Sequence, residues 1–172
     1  NTNNAQSLDL DFWNNAGAAQ ARIRYNEGGG SFDFLPNVGV GPAMTMLYGG
    51  NVGIGTVSPR TKLNVQGASS DGGGVLTLEN STTATGSADY VGKIQFYGND
   101  SGTGASGIRA SIDANIQGYN GETDLVFSTA PASGANAEKM RINSSGNVGI
   151  GTVSPDSKLD VTGGDITVNT SG

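Results

Sequence analysis

Two pairs of carboxylates stand two residues apart, Asp9 with Asp11 and Glu122 with Asp124. On a strand that spacing places both members on one face. Two acids so placed can divide the work of glycoside hydrolysis if their separation suits it, and Asp-x-Asp offers hard oxygen ligands to calcium. The surroundings favour neither use. Nothing apolar encloses either pair to raise a pKa, both pairs sit near strand ends, and a calcium loop's glycine turn is missing. They read as acids on the solvated face of half-buried strands. The chain has no histidine and no cysteine, which removes the commonest general base, the usual partner of a serine nucleophile, thiolate metal ligands and disulfides. We expect no enzymatic activity, no cofactor and no metal site.

Exposed aromatic rings are the other group with chemistry to offer, since they stack on sugars. Trp13, Tyr97 and Tyr119 are the candidates for contact with a glycan or receptor, together with loops at 99–106 and 130–137. Alternation would turn Phe12 and Phe96 inward and leave Trp13 and Tyr97 on the opposite face. Their plainer role is to cover the strand edge of a neighbouring subunit. Arg22, Arg24, Arg109, Lys139 and Arg141 are scattered, and each reads as a partner for a nearby acid. With a formal net charge of −6, binding to nucleic acid or to an anionic membrane is disfavoured. No apolar run is long enough for a membrane span or a signal sequence.

Short strands must position these residues. The ranges 7–13, 21–25, 32–35, 43–47, 62–65, 75–79, 92–97, 107–113, 123–128, 139–142 and 165–168 alternate apolar with polar residues, and Gly or Pro interrupts nearly every helix-length window. The class is all-β. Gly, Asn, Ser and Thr supply 78 of the 172 residues, whereas Leu, Ile, Val and Phe supply 35. So lean a chain struggles to build a core alone. Its low charged fraction of 14% and its clustered apolar runs argue against a disordered tail, so the composition points to a core shared between subunits. Residue 1 is Asn and the chain closes on Val-Asn-Thr-Ser-Gly; both ends read as cuts through a longer polypeptide.

One repeat organises the chain. Asn51-Val-Gly-Ile-Gly-Thr-Val-Ser-Pro59 recurs identically as Asn147-Val-Gly-Ile-Gly-Thr-Val-Ser-Pro155, 96 residues later. Lys62-Leu-Asn-Val65 answers Lys158-Leu-Asp-Val161, and Met44 answers Met140. Leu10-Asp-Phe-Trp13 echoes Ile94-Gln-Phe-Tyr97, and Phe32-Asp-Phe34 echoes Leu125-Val-Phe127. We read an incomplete unit at 1–59, a complete unit at 60–155 and the start of a third at 156–172. In the motif Val52 and Ile54 alternate with Gly53 and Gly55, as Val148 and Ile150 do with Gly149 and Gly151. On a strand one face is then apolar and the other bare. A bare face would let another chain's backbone lie against it, as in tight packing about a three-fold axis, and Pro59 or Pro155 then halts the strand. A nucleotide-binding Gly-x-Gly-x-x-Gly would need a third glycine and a following helix, and neither is present.

The motif Gly-Asn-Val-Gly-Ile-Gly-Thr-x-Ser-Pro-x-x-Lys-Leu-x-Val-x-Gly resembles the repeat of bacteriophage tail fibres and tail spikes, where it often lies upstream of a self-cleaving chaperone domain. The lead-in Met140-Arg-Ile-Asn-Ser-Ser-Gly-Asn147 matches that family closely, while Met44-Thr-Met-Leu-Tyr-Gly-Gly-Asn51 departs from it at Arg and Ile. The resemblance covers about 45 residues over both copies. It implies an elongated, fibrous, parallel homotrimer in the extracellular tail fibre of a virion. Its partners would be two identical chains, other tail proteins and a host surface glycan or receptor, and its role would be host attachment. A bacterial surface adhesin or stalk, and part of a polysaccharide-degrading spike, are the alternatives.

Overall fold

The computed structural model describes residues 7–39, 41–68, 70, 72–81, 89–99, 106–118, 121–132 and 134–167. Among them are twelve strands and no α-helix. They are β1 (Ser7–Trp13), β2 (Ala19–Asn26), β3 (Ser31–Leu35), β4 (Met44–Leu47), β5 (Val52–Ile54) and β6 (Leu63–Val65), then β7 (Tyr90–Gly98), β8 (Gly107–Ile116), β9 (Thr123–Thr129), β10 (Ala137–Ile142), β11 (Val148–Ile150) and β12 (Leu159–Val161). The protein is all-β, as its alternating runs imply. The strands make two six-stranded sheets of one topology, β1 to β6 and β7 to β12, each in sequence order. Every neighbouring pair is antiparallel except the last, β5 with β6 and β11 with β12, which is parallel.

Compact units divide between Thr77 and Leu78. The repeat boundaries counted from the motif, after Pro59 and Pro155, fall elsewhere because β6 and β12 pair back across those prolines onto β5 and β11. Two expected strands do not form: 75–79 and 165–167 lie outside both sheets, and residue 168 is outside the described residues. Alternation prepares a strand but cannot supply a neighbour to pair with, and both sheets end one strand earlier, at β6 and β12.

The repeated motif builds the same crossover twice. Gly50 and Gly146 take positive φ in the turns before β5 and β11, donating to the carbonyls of Leu47 and Asn143 at 2.8 Å. The Lys62 and Lys158 ammonium groups pin those turns through the carbonyls of Gly49 at 2.6 Å and Ser145 at 2.9 Å. Asn51 and Asn147 donate to the carbonyls of Pro59 and Pro155 at 3.4 and 3.2 Å, holding the crossover shut over these buried prolines. Parallel neighbours ordinarily need a connection of about a dozen residues or more. Here residues 55–62 and 151–158 suffice, because the chain turns back directly over glycines.

Those glycines correct the expectation of a bare face waiting for another chain. Gly53 lies under the carbonyl of Thr56, and a Cβ on Gly149 would stand 2.8 Å from the carbonyl of Thr152. Gly55 and Gly151 are outside β5 and β11, have φ of 72° and 74°, and abut the carbonyls of Gln66 and Thr162. The space that the missing side chains leave is filled by this chain's own backbone.

Candidate functional site

Register places one kind of residue on each face. In the first sheet Leu10, Ile23, Phe34, Met44, Ile54 and Val65 stand opposite one another across all six strands. In the second the corresponding row is Ile94, Ile112, Phe127, Met140, Ile150 and Val161. A second row, Leu8, Tyr25, Phe32, Met46, Val52 and Leu63, extends the face in the first sheet. Its counterpart is Gly92, Ala114, Leu125, Ile142, Val148 and Leu159. The smallest of these, Gly92, stands where the first sheet has Leu8, and Leu78 takes the room: a Cβ on Gly92 would lie 2.6 Å from that of Leu78.

None of the twelve side chains in the first row of each sheet, Leu10 to Val65 and Ile94 to Val161, is buried. Leu8 is 76% exposed, Leu10 59%, Phe96 53% and Leu159 58%. Among the described residues the buried apolar side chains, prolines aside, are Leu35, Ile116 and Val126. The enclosed face is the polar one. Ser31, Asp33, Thr45, Ser111, Asp113, Asp124, Ser128 and Arg141 are all buried; of the four acids expected on a solvated face this corrects Asp124, whereas Asp9 and Asp11 are half-buried and Glu122 is exposed. A contiguous apolar surface left open on a single chain marks an interaction site, and burying a Leu, Ile or Phe from it stabilises by about 1.5–3 kcal/mol.

Three of the four paired carboxylates, Asp9, Asp11 and Asp124, are committed to arginines. Arg22 holds Asp11 through two bonds of 2.5 and 2.9 Å and reaches Asp9 at 2.8 Å, while Arg24 bonds Asp9 at 3.2 Å. The Arg22 hydrogen bond holds the Asp11 carboxyl below the usual carboxylate range. Asp124, 2% exposed, accepts from Arg141 at 2.7 Å and from the Ser144 amide at 3.0 Å. Arg141 also grips Glu138 at 2.6 and 2.7 Å, and that bond, with Asp124 beside it, raises the guanidinium pKa further. Glu122 lies exposed just before β9 and is not brought together with Asp124 on the strand. Arg109 caps the loop after β9, donating to the carbonyls of Ala130, Pro131 and Gly134. Lys139 stands at the irregularity in β10. Among the described residues no three His, Cys, Asp or Glu side chains are grouped to hold a metal ion, and no helix is long and apolar enough to cross a membrane.

Trp13 and Tyr97 are 64% and 68% exposed. Each follows a β-bulge: opposite Phe12/Trp13 the partner strand carries the extra residue Gln20, and opposite Phe96/Tyr97 the extra residue Arg109. The extra residue of each bulge sits on the partner strand, so Trp13 and Tyr97 still alternate with Phe12 and Phe96, which themselves lie on the open apolar face. Tyr119 and residues 100–105 are outside the described residues. The motif residues Val52, Ile54, Val148 and Ile150 belong to the apolar face, whereas the glycines and prolines serve the crossover. What sequence reading missed was Ile23 with Ile112 and the completeness of the row. Ile23 and Ile112 stand 89 residues apart, between the 84 of Leu10 with Ile94 and the 96 of the motif, so comparing strand with strand would have found them.

No known protein-family model matches the chain, and no curated protein shows significant similarity to it.

Proposed function

We propose that the chain is a structural segment of a bacteriophage tail fibre, in which three parallel copies share their apolar sheet faces and so form part of the extracellular apparatus that attaches the virion to its host. The observation that supports the assembly is the row of six apolar residues, repeated strand for strand in both units and left open by the chain itself. A foreign partner covering both units would need a repeat matched to this one, and copies of the chain bring that repeat with them. Homo-oligomers with cyclic symmetry are the common solution to such self-complementarity. The tail-fibre assignment rests on the motif that resembles that family.

Catalysis is no part of this reading, since Asp9, Asp11 and Asp124 are tied into ion pairs and Glu122 is not brought together with Asp124. Two experiments test the proposal. Sedimentation velocity at micromolar concentration should give a trimer, and a monomer would remove the shared core. Antibodies raised against the chain should decorate the tail fibres of the virion that encodes it, and decoration of a bacterial envelope instead would favour a surface adhesin.

A further inference from the structure

We infer that Tyr25 and Tyr48 form an oxidative cross-linking site, where a one-electron oxidant of the haem-peroxidase class joins the two rings through an ortho carbon of each. The tie lies within one chain and is independent of the shared-face assembly. The rings meet with centroids 6.0 Å apart and planes inclined at 37°, and their hydroxyls are hydrogen-bonded to each other. Among the described residues no other two tyrosines stand in ring contact.

Backbone holds both members of the pair. Tyr25 lies in β2, opposite Leu8 on one side and Phe32 on the other. Tyr48 directly follows β4; its amide donates to the carbonyl of Gly30 at 3.0 Å, and its turn is closed by Gly50 and pinned by Lys62. Gly30, at a φ of 62°, has no Cβ, and one placed there would stand 3.2 Å from the Tyr48 ring. The scaffold itself does not require the pair. The second unit closes the same turn with Ser144 in place of Tyr48, and Ala114 holds the row position of Tyr25.

Phenoxyl radicals couple with a ring already beside them, so proximity decides the product. Each phenol gives up one electron and its hydroxyl proton. The two radicals then form a carbon–carbon bond between ortho positions, and the protons on those carbons move to the oxygens. Two electrons and two protons leave in all, and one hydrogen peroxide accepts them to give two waters. Tyr48 is 65% exposed and Tyr25 38%, so both are open to the oxidant, and the chain has no cysteine thiol to intercept it. The hydrogen bond with Tyr25 pushes the Tyr48 pKa up to about 12, so its proton stays in place until oxidation removes it. The product would tie β2 to the end of β4 across β3, a covalent closure that a chain without disulfides otherwise lacks.

The test treats the 172-residue chain with a haem peroxidase and hydrogen peroxide. Blue biphenol fluorescence should appear with a yield per chain that does not change with protein concentration. After cleavage at Glu27, which lies between the two tyrosines, the fragments should stay joined. Tyr25→Phe and Tyr48→Phe, with far-UV circular dichroism unchanged, should each lower the fluorescence by roughly tenfold or more. Tyr97→Phe, which removes a ring 68% exposed but outside the pair, should leave it intact. The cleavage result reads the unaltered chain and stands whether or not the variants fold. Fluorescence that survives Tyr48→Phe, fragments that separate after cleavage, or a yield that rises with concentration as chains become joined to one another would overturn the assignment. So would failure to couple under conditions where free tyrosine does.

Discussion

The two units carry the same apolar face and opposite polar ones. Across the first sheet the central polar row runs Asp9, Arg24, Asp33, Thr45, Gly53, Asn64; across the second it runs Lys93, Asp113, Val126, Arg141, Gly149, Asp160. Acid faces base between the first two strands in both, with the signs exchanged. The main ion pairs lie between β1 and β2 in the first unit and between β9 and β10 in the second. Only glycine holds the same place in both rows, and the crossover above it requires that. Meanwhile the apolar row is Leu-Ile-Phe-Met-Ile-Val in one unit and Ile-Ile-Phe-Met-Ile-Val in the other. A face that satisfies its polar groups within the chain is free to rearrange them, provided each buried charge keeps a partner. In the proposed assembly the apolar face has to fit another copy and is held to shape and size.

The sharpest way to break this comparison is on the row the units share. Phe34→Asp and Phe127→Asp should each abolish self-association, because an unpaired charge would be buried at the shared face. The two losses should be alike when followed by sedimentation, and unequal losses would show that only one unit assembles. Next comes the row on which the units differ. Arg141→Met leaves Asp124 buried without its counter-ion and should cost about 3–5 kcal/mol in denaturant unfolding. The matching change in the first unit, Thr45→Val, should stay within about 1 kcal/mol, since the hydroxyl is buried without a hydrogen-bond partner.

Gly55→Ala and Gly151→Ala should each cost about 2–4 kcal/mol, from positive φ and from the carbonyl against which a Cβ would press. Equal effects are expected because the crossovers are built alike. The smallest effect is of pH. The depressed Asp11 carboxyl contributes stability above its ordinary value of 3.8 that is lost as pH falls through its folded value. The protection of β1 amides from hydrogen exchange, relative to the intrinsic rate at each pH, should therefore fall in acid while that of β7 does not, since Gln95 and Ser111 occupy the places of Asp11 and Arg22. Asp11→Asn should remove the difference.

Much of this was legible before folding was considered. Nine of the eleven alternating ranges contain strands, because side-chain alternation is a local property that survives into the sheet. The shared motif announced a structure made twice, and arginine–acid pairing was foreseeable where acids and bases recur at strand spacing. Residues 75–79 and 165–167 alternate without joining a sheet because pairing depends on what lies alongside, which no local window contains. The glycine pairs were assigned to another chain's backbone for a related reason. Absence of a side chain shows that something comes close, and only the chain path through Thr56 and Gln66 identifies it.

The sequence by itself determined the class, the repeat, the scarcity of core-forming residues and the want of histidine and cysteine chemistry, all of which follow from residue type and spacing. The tertiary structure alone decided which face is open. Alternation separates apolar from polar residues but is symmetric between the two sides of a sheet. That symmetry is broken only when six strands fall into register, the crossover folds over Gly53 and Gly149 on the polar side, and Arg141 closes on Asp124, leaving the apolar rows uncovered.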